Sequence, residues 1–241
     1  MRCLFIDLAS HQGLLACVTE NDVQRTVLVD HRIADRELVP MVEKLLLDAK
    51  CSYKDLTNIA CVVGPGGFMS LRVGVSLANT LSHMLKIPIA GIHLSELCLA
   101  RSRSTTPVHP FDKLRAGQSL VASLFWLHST KKDSLFVRSF GADFPQWKEP
   151  THVGLQEFLS SVAGVHENQL VVVSQSPVHE SPVAFFGELI PEHREAIENL
   201  QKSGIAIHEL QLRNEEEVLS SFLSHVTYHM SHLYHWYGRG W

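Results

Sequence analysis

Val62-Val63-Gly64-Pro65-Gly66-Gly67-Phe68-Met69-Ser70-Leu71-Arg72-Val73-Gly74 is the stretch around which the rest of this chain is organised. The β-branched run from Ile59 to Val63 predicts a buried strand. Gly64, Pro65, Gly66 and Gly67 then end it in a loop where the backbone can bend sharply or come close to another segment. From Ser70 to about Lys86 the spacing turns helical. Val73, Leu77, Leu81 and Met84 form one apolar stripe, and Leu71, Val75, Ala78 and Leu85 form a second. A helix apolar on two sides must be covered on two sides; its own sheet supplies one cover and something else the other.

Strand, glycine-rich turn and helix in series also suit anion binding, because a helix N-terminus presents free N–H groups and a positive dipole end. No Gly-Lys-Ser/Thr follows the loop, and Gly-x-Gly-x-x-Gly is not satisfied. A packing turn and a phosphate loop both stay open on local chemistry alone.

Working outward, residues 2–8 predict a first strand, Leu14–Thr19 a second and Val23–Val29 a third, joined by tight turns. Asp7 stands where the first strand ends, placed either to organise a magnesium ion through water or to accept the turn's N–H groups. A helix runs from about Asp35–Glu37 to Lys50, with Leu38, Met41, Val42, Leu45, Leu46 and Ala49 inward and Pro40 near its first turn. Ser52–Asp55 has the form of a capping-box turn. After the central strand, loop and helix come a strand at Pro88–Ile92 and a helix at Ser95–Arg101.

The resulting β-β-β-α-β-α-β-α order predicts a mixed α/β sheet with helices packed on it. Three segments are expected: an N-terminal subdomain over 1–101, an exposed loop or insertion over 102–118, and a smaller C-terminal subdomain over 119–241. Within the last, Leu120–His128 and Ser134–Phe140 predict a hairpin. Gly154–Ala163 predicts a helix, Gln169–Ser174 a strand, Pro191–Lys202 a helix, Ile205–Leu212 a strand and Glu215 to about His235 a final helix.

With 241 residues, 45 % hydrophobic and 19 % charged, the chain can bury one large core or two small ones. A net charge of −4 argues against a protein that grips nucleic acid on its own surface, since phosphate contacts need clustered Lys and Arg. Five scattered cysteines, none in a Cys-x-x-Cys pair, predict buried free thiols in a reducing compartment. An acid interrupts the apolar run at the N-terminus after four residues, so that run predicts a strand and not a signal peptide. No apolar stretch approaches membrane-spanning length, and the expected location is the cytoplasm.

Leu4-Phe5-Ile6-Asp7-Leu8-Ala9-Ser10, the strand and helix order and Gly64-Pro65-Gly66-Gly67-Phe68-Met69-Ser70-Leu71-Arg72-Val73-Gly74 together resemble the TsaB family, also called YeaZ. The resemblance covers about residues 1–100 well and the remainder loosely. It implies the actin/hexokinase-like ATPase (ribonuclease H-like) fold in two subdomains. It also implies a non-catalytic accessory subunit that pairs with a TsaD-like catalytic subunit, and through it with a TsaE-like ATPase, in making N6-threonylcarbamoyladenosine at position 37 of tRNAs. Transfer RNA would be met only through that complex, and a homodimer is a further possibility the family offers. Leu38, Met41, Leu45, Val73, Leu77 and Leu81 are the corresponding candidates for a partner-binding seam. Asp7, Gly64, Gly66 and Gly67 would be a vestigial nucleotide loop for ATP or ADP with magnesium. The alternative from another class is an active ATP-dependent kinase or carbamoyltransferase of the same fold.

The sequence departs from the family pattern at informative places. Gly67 and Met69 stand where the family has Ser and Thr, Ser70 replaces a glycine, and Leu8 replaces the Thr after the first-strand Asp. Each loss but that at Ser70 removes a hydroxyl that a phosphate or metal-bound water could use. Fifteen histidines is a high count, and on a C-terminal helix His225, His229 and His232 would share one face at metal-binding spacing. A His-rich partner surface is the plainer reading of that cluster. Neither His-Glu-x-x-His nor Gly-x-Ser-x-Gly occurs, so protease and hydrolase chemistry have no motif here.

Overall fold

The computed structural model describes residues 1–30, 35–102, 123–140, 144–172, 183–205 and 207–235. The expected insertion therefore lies outside the described residues from 103 onward. Two compact units emerge. The first comprises Met1–Ala100 with Arg213–Arg239, and the second is built on Arg101–Leu212. The tail that its place in sequence put with the second subdomain thus belongs to the first unit.

In the first unit, β1 (Arg2–Asp7), β2 (Gly13–Thr19) and β3 (Val23–Val29) form the expected antiparallel meander. Helix α1 (Asp35–Asp48) comes next, then β4 (Asn58–Gly64), α2 (Phe68–Leu85), β5 (Ile89–His93) and α3 (Leu94–Ser102). β4 pairs parallel to β1 and β5 parallel to β4, giving the sheet order β3-β2-β1-β4-β5. Period-2 alternation sends Leu4, Ile6, Leu15, Cys17, Ile59 and Cys61 to one face. There they meet Leu38, Val42, Leu45 and Leu46 of α1 and Val75 and Ala78 of α2 in a single core. Val42 and Leu45 are fully buried, so the inward face expected for α1 is the one that forms. Pro40 lies inside α1, one turn further in than a Pro at the helix start.

The second unit repeats the plan. β6 (Ser123–Lys131) and β7 (Ser134–Ser139) are the expected hairpin, β8 (Thr151–Gly154) extends it, and β9 (Val183–Glu188) and β10 (Ile207–Glu209) pair parallel on the other side. The sheet order β8-β7-β6-β9-β10 is the order of the first sheet over again. Helices α4 (Leu155–Val172) and α5 (Pro191–Lys202) complete the unit. Its core holds Phe125, Phe144, Trp147 and Phe158, with Phe144 and Trp147 rings stacked at 5.3 Å. Two such α/β units with mixed sheets agree with the α/β, two-subdomain class expected.

Two expected elements change. Where a strand was expected over Gln169–Ser174, α4 continues through Gln169 to Val172, and the last two residues of that range lie outside the described residues. The expected helix ended at Ala163, but Leu155, Phe158 and Val162 recur at helical spacing in the core, and the space beside Gly164 is open. A glycine inside a helix costs only about 1 kcal/mol, which this packing outweighs. The final helix expected over Glu215–His235 is shorter: α6 covers Glu216–Leu223, and the chain beyond it is irregular. Its inward stripe of Val218, Leu219 and Leu223 ends there. The residues after α6 are drawn instead to the open edge of the first sheet, where His229 pairs with Ile89. Among the described residues, no helix is long and apolar enough to cross a membrane.

All five cysteines are buried thiols that form no disulfide. Burial pushes the Cys3 thiol up to about 12 and the Cys17 thiol up to about 11, from an ordinary value of 9.0. In the unfolded chain these thiols ionise first as pH rises, so their contribution to stability is fully present below pH 9 and is lost between about pH 9 and 12. The urea midpoint should therefore hold steady near neutrality and fall progressively above pH 9, and Cys3→Ala should flatten that fall. A second expectation concerns Gly187, which sits at φ +139° with a notional Cβ 1.9 Å from the Leu127 carbonyl oxygen. Gly187→Ala should lower unfolding free energy by roughly 3 kcal/mol or more, measured by urea titration of the full chain.

Candidate docking face and the Gly-Pro-Gly loop

The loop is built on close backbone approach. β4 ends at Gly64, whose φ of +135° excludes residues with a Cβ. Gly66 then lies so near the β1–β2 turn that a Cβ on it would be 2.7 Å from both Cα and O of Ala9. Further along, Gly74 of α2 receives the Leu8 side chain, whose Cδ1 would be 3.3 Å from a Cβ there. Leu8, standing where the family carries Thr, is thus a packing residue against α2.

Asp7 is fully buried beneath this contact. Its Oδ1 accepts the N–H groups of Ala9 at 2.7 Å and Ser10 at 3.1 Å, and its Oδ2 accepts the Ser10 hydroxyl. Of the two roles open to it in the sequence, holding the turn's N–H groups is the one the geometry displays. Cys61 on β4 is near enough for the Asp7 carboxylate to add to burial in pushing its thiol up. Gly67 caps α2 with its carbonyl accepting Leu71 N–H at 2.9 Å, and no side chain caps the helix start. Arg72, at that start, is exposed with its guanidinium 5.3 Å from the Phe68 ring centroid, a cation–π contact.

The six expected seam residues divide. Leu38 and Leu45 are 1 % and 0 % exposed and belong to the core beneath α1. Met41, Val73, Leu77 and Leu81 are partly buried and pack against that core. The apolar side chains that α1 and α2 turn outward are others: Val39 and Leu47 on α1, and Phe68, Met69 and Met84 on α2, with Leu47 76 % and Met84 72 % exposed. Val39 and Leu47 are two helical turns apart on one face, a signal in the sequence that the inward stripe overshadowed.

Part of α2's second cover comes from the chain itself. After α6, Tyr228 brings its hydroxyl to 3.6 Å from Cys3 Sγ, on the face of β1 opposite Leu4 and Ile6. His229 then exchanges both backbone hydrogen bonds with Ile89, each 2.8 Å, on the open edge of β5. Asn79 of α2 holds the next stretch like a short strand. Its Nδ2 donates to Leu233 O at 3.0 Å and its Oδ1 accepts Leu233 N–H at 2.8 Å. The Leu233 side chain packs where Gly91 leaves room, 3.1 Å from a notional Cβ. Residues 224–235 are therefore a strap around the sheet edge.

This strap disperses the expected histidine face. His225 Nδ1 lies 2.8 Å from the Ser221 carbonyl, His229 is fixed by its backbone at β5, and His232 stacks on His83 of α2 at 6.5 Å between centroids. The helix that would have aligned all three ends at Leu223.

A family model described as "TsaD: tRNA N6-adenosine threonylcarbamoyltransferase" matches residues 31–114. The tRNA threonylcarbamoyladenosine biosynthesis protein TsaB of Buchnera aphidicola subsp. Schizaphis graminum is 31 % identical over 99 residues, 41 % of this chain and 46 % of that protein. A crystal structure from Pseudomonas aeruginosa, of an uncharacterized protein with similarity to peptidase YEAZ, superposes with a TM-score of 0.59 at 15 % identity, covering 92 % of this chain and 90 % of the other. This chain is similar to TsaB in sequence and to a YeaZ-related structure in fold. A tRNA N6-adenosine threonylcarbamoyltransferase of Desulfotalea psychrophila is also similar, 40 % identical over 102 residues, 42 % of this chain and 29 % of that protein. The chain spans less than half the length of these two curated relatives. The solved structure extends the likeness in fold through both units of the chain.

The Asp7 turn and the Gly66 contact stabilise one another, and each is testable in the full chain. Asp7→Ala leaves three donors in or at the turn without their acceptor and should cost about 1–3 kcal/mol in urea unfolding. Gly66→Ala should cost a comparable amount through the Ala9 clash, and the two losses should fall short of additive because the turn and loop share one contact.

Proposed function

We propose that this chain serves tRNA N6-threonylcarbamoyladenosine biosynthesis as a non-catalytic accessory subunit. It docks on a TsaD-like catalytic subunit through the outward faces of α1 and α2, and reaches a TsaE-like ATPase and tRNA only through that complex. The observation that carries the reading is the set of outward apolar side chains, Val39, Leu47, Met69 and Met84, on helices that lie within the stretch matched by the threonylcarbamoyltransferase family model, in a chain that is similar to TsaB-named proteins. A partner built on the same unit offers matching helices, so apolar ridges can meet across a pseudo-two-fold axis. When that subunit is missing, the same face pairs two copies of this chain.

The loop chemistry supports an accessory role. Asp7's carboxylate is occupied by its own turn, and backbone atoms of Ala9 stand against Gly66 where an anion would need space. ATP therefore has little to hold it at Asp7, Gly64, Gly66 and Gly67.

Light scattering behind a sizing column, on the full chain mixed with the TsaD-like subunit of the same genome, should show a one-to-one complex. Leu47→Glu and Met84→Glu, both exposed in the free chain, should leave the melting temperature nearly unchanged and abolish the complex. Persistence of the complex in both variants would refute this docking face. Micromolar ATP binding by calorimetry would instead favour an active kinase or carbamoyltransferase.

A further inference from the structure

The strap and the end of α2 enclose a surface pocket of about 230 Å³ in the first unit. Three donors line it: His83 from the last turn of α2, and Met230 and His232 from the strap. We propose that His83, His232 and Met230 form a binding site for one soft metal ion, copper(I). This proposal is independent of the docking role.

Three features argue for an ion of that class. The first is donor chemistry. Two imidazoles and a thioether suit a soft, monovalent metal, and among the described residues no carboxylate lines the pocket to favour magnesium or calcium. The second is geometry. The His83 and His232 rings face each other with centroids 6.5 Å apart and planes 30° apart. An imidazole binds a metal through a nitrogen lone pair in the plane of its ring, so both exposed rings must swing edge-on to share one ion; metal–nitrogen bonds of about 2 Å each, added to the reach of two rings, then suit a centroid separation of this size. The third is preorganisation. Met230 and His232 lie between two pinned points of the strap, the Ile89–His229 backbone pair and the Asn79–Leu233 pair, so both donors are presented on a fixed segment. The carbonyl end of α2 adds a negative partial charge beside the pocket. Lys86, which also lines it, has a long stem that can keep its ammonium in water.

The test uses full-length protein without an affinity tag, held anaerobic with ascorbate, competing for copper(I) against a chromophoric chelator. One equivalent should be retained. His83→Ala and His232→Ala should each weaken binding by at least about tenfold, since losing even an outer-shell partner of a metal costs about 10–100-fold. Met230→Leu, which conserves volume, should weaken copper(I) several-fold while leaving zinc affinity unchanged. His225→Ala should have no effect. Failure to retain one equivalent would overturn the site, as would retention unaffected by both His83→Ala and His232→Ala. Equal copper(I) affinity in Met230→Leu would remove the thioether, and with it the assignment of copper(I). A His225→Ala loss as large as that of His232→Ala would also overturn it, by moving binding to the tail's other histidines.

Discussion

The first unit depends on one approach of backbone to backbone, that of Gly66 to Ala9. β4 and β1 are parallel neighbours, and the segments leaving their ends must pass one another within van der Waals distance before α2 can settle on the sheet. Only a residue without a Cβ allows that passage. Asp7 fixes the other side of it by drawing the N–H groups of Ala9 and Ser10 onto one carboxylate. With turn and loop locked together, Leu8 falls against Gly74 and the whole apolar inner side of α2 is placed over Ile59, Cys61 and Ile6. A motif that in isolation resembles an anion cradle is, in this chain, a packing joint.

The strap shows a second constraint. An edge strand leaves N–H and C=O groups without partners, and proteins cover such edges. β5 is the edge here, and the chain spends its own C-terminal residues on it. His229 completes one pair of backbone bonds, and Asn79 supplies a side-chain amide that copies a strand's donor and acceptor two residues beyond Ser231. The consequence for function is that α2 is shared. Its inner side belongs to the sheet, its C-terminal end to the strap, and its remaining outward residues, Phe68, Met69 and Met84 among them, are exposed.

Much of this was legible in the chain of residues. The alternation of β1 to β3, the inward stripe of α1, the strand–loop–helix at 59–85 and the hairpin of β6 and β7 all carry local periodicities, and a local period survives into the fold because each element buries its own apolar face. Less could be seen of the second unit. β9 is a short run with no amphipathic period to announce it, and its pairing with β6 on one side and β10 on the other is what makes it a strand. Gly164 and the valines beyond it read as a break followed by a strand, whereas packing of Phe158 and Val162 carries the helix through. For the docking face, spacing identified the two helices and the side that faces inward. It did not separate Leu45, fully buried, from Leu47, largely exposed two positions away.

The sequence by itself determined the fold class, the order of elements and the place of the glycine loop, because hydrophobic period and glycine's conformational freedom are properties of neighbouring residues. Tertiary structure alone decided what the loop does, where the final helix ends and which histidines meet. Those outcomes turn on encounters between residues far apart in the chain: Gly66 with Ala9, His229 with Ile89, Leu233 with Asn79 and His232 with His83. No local pattern encodes such a meeting, since its free energy exists only once the sheet has brought both partners to one place.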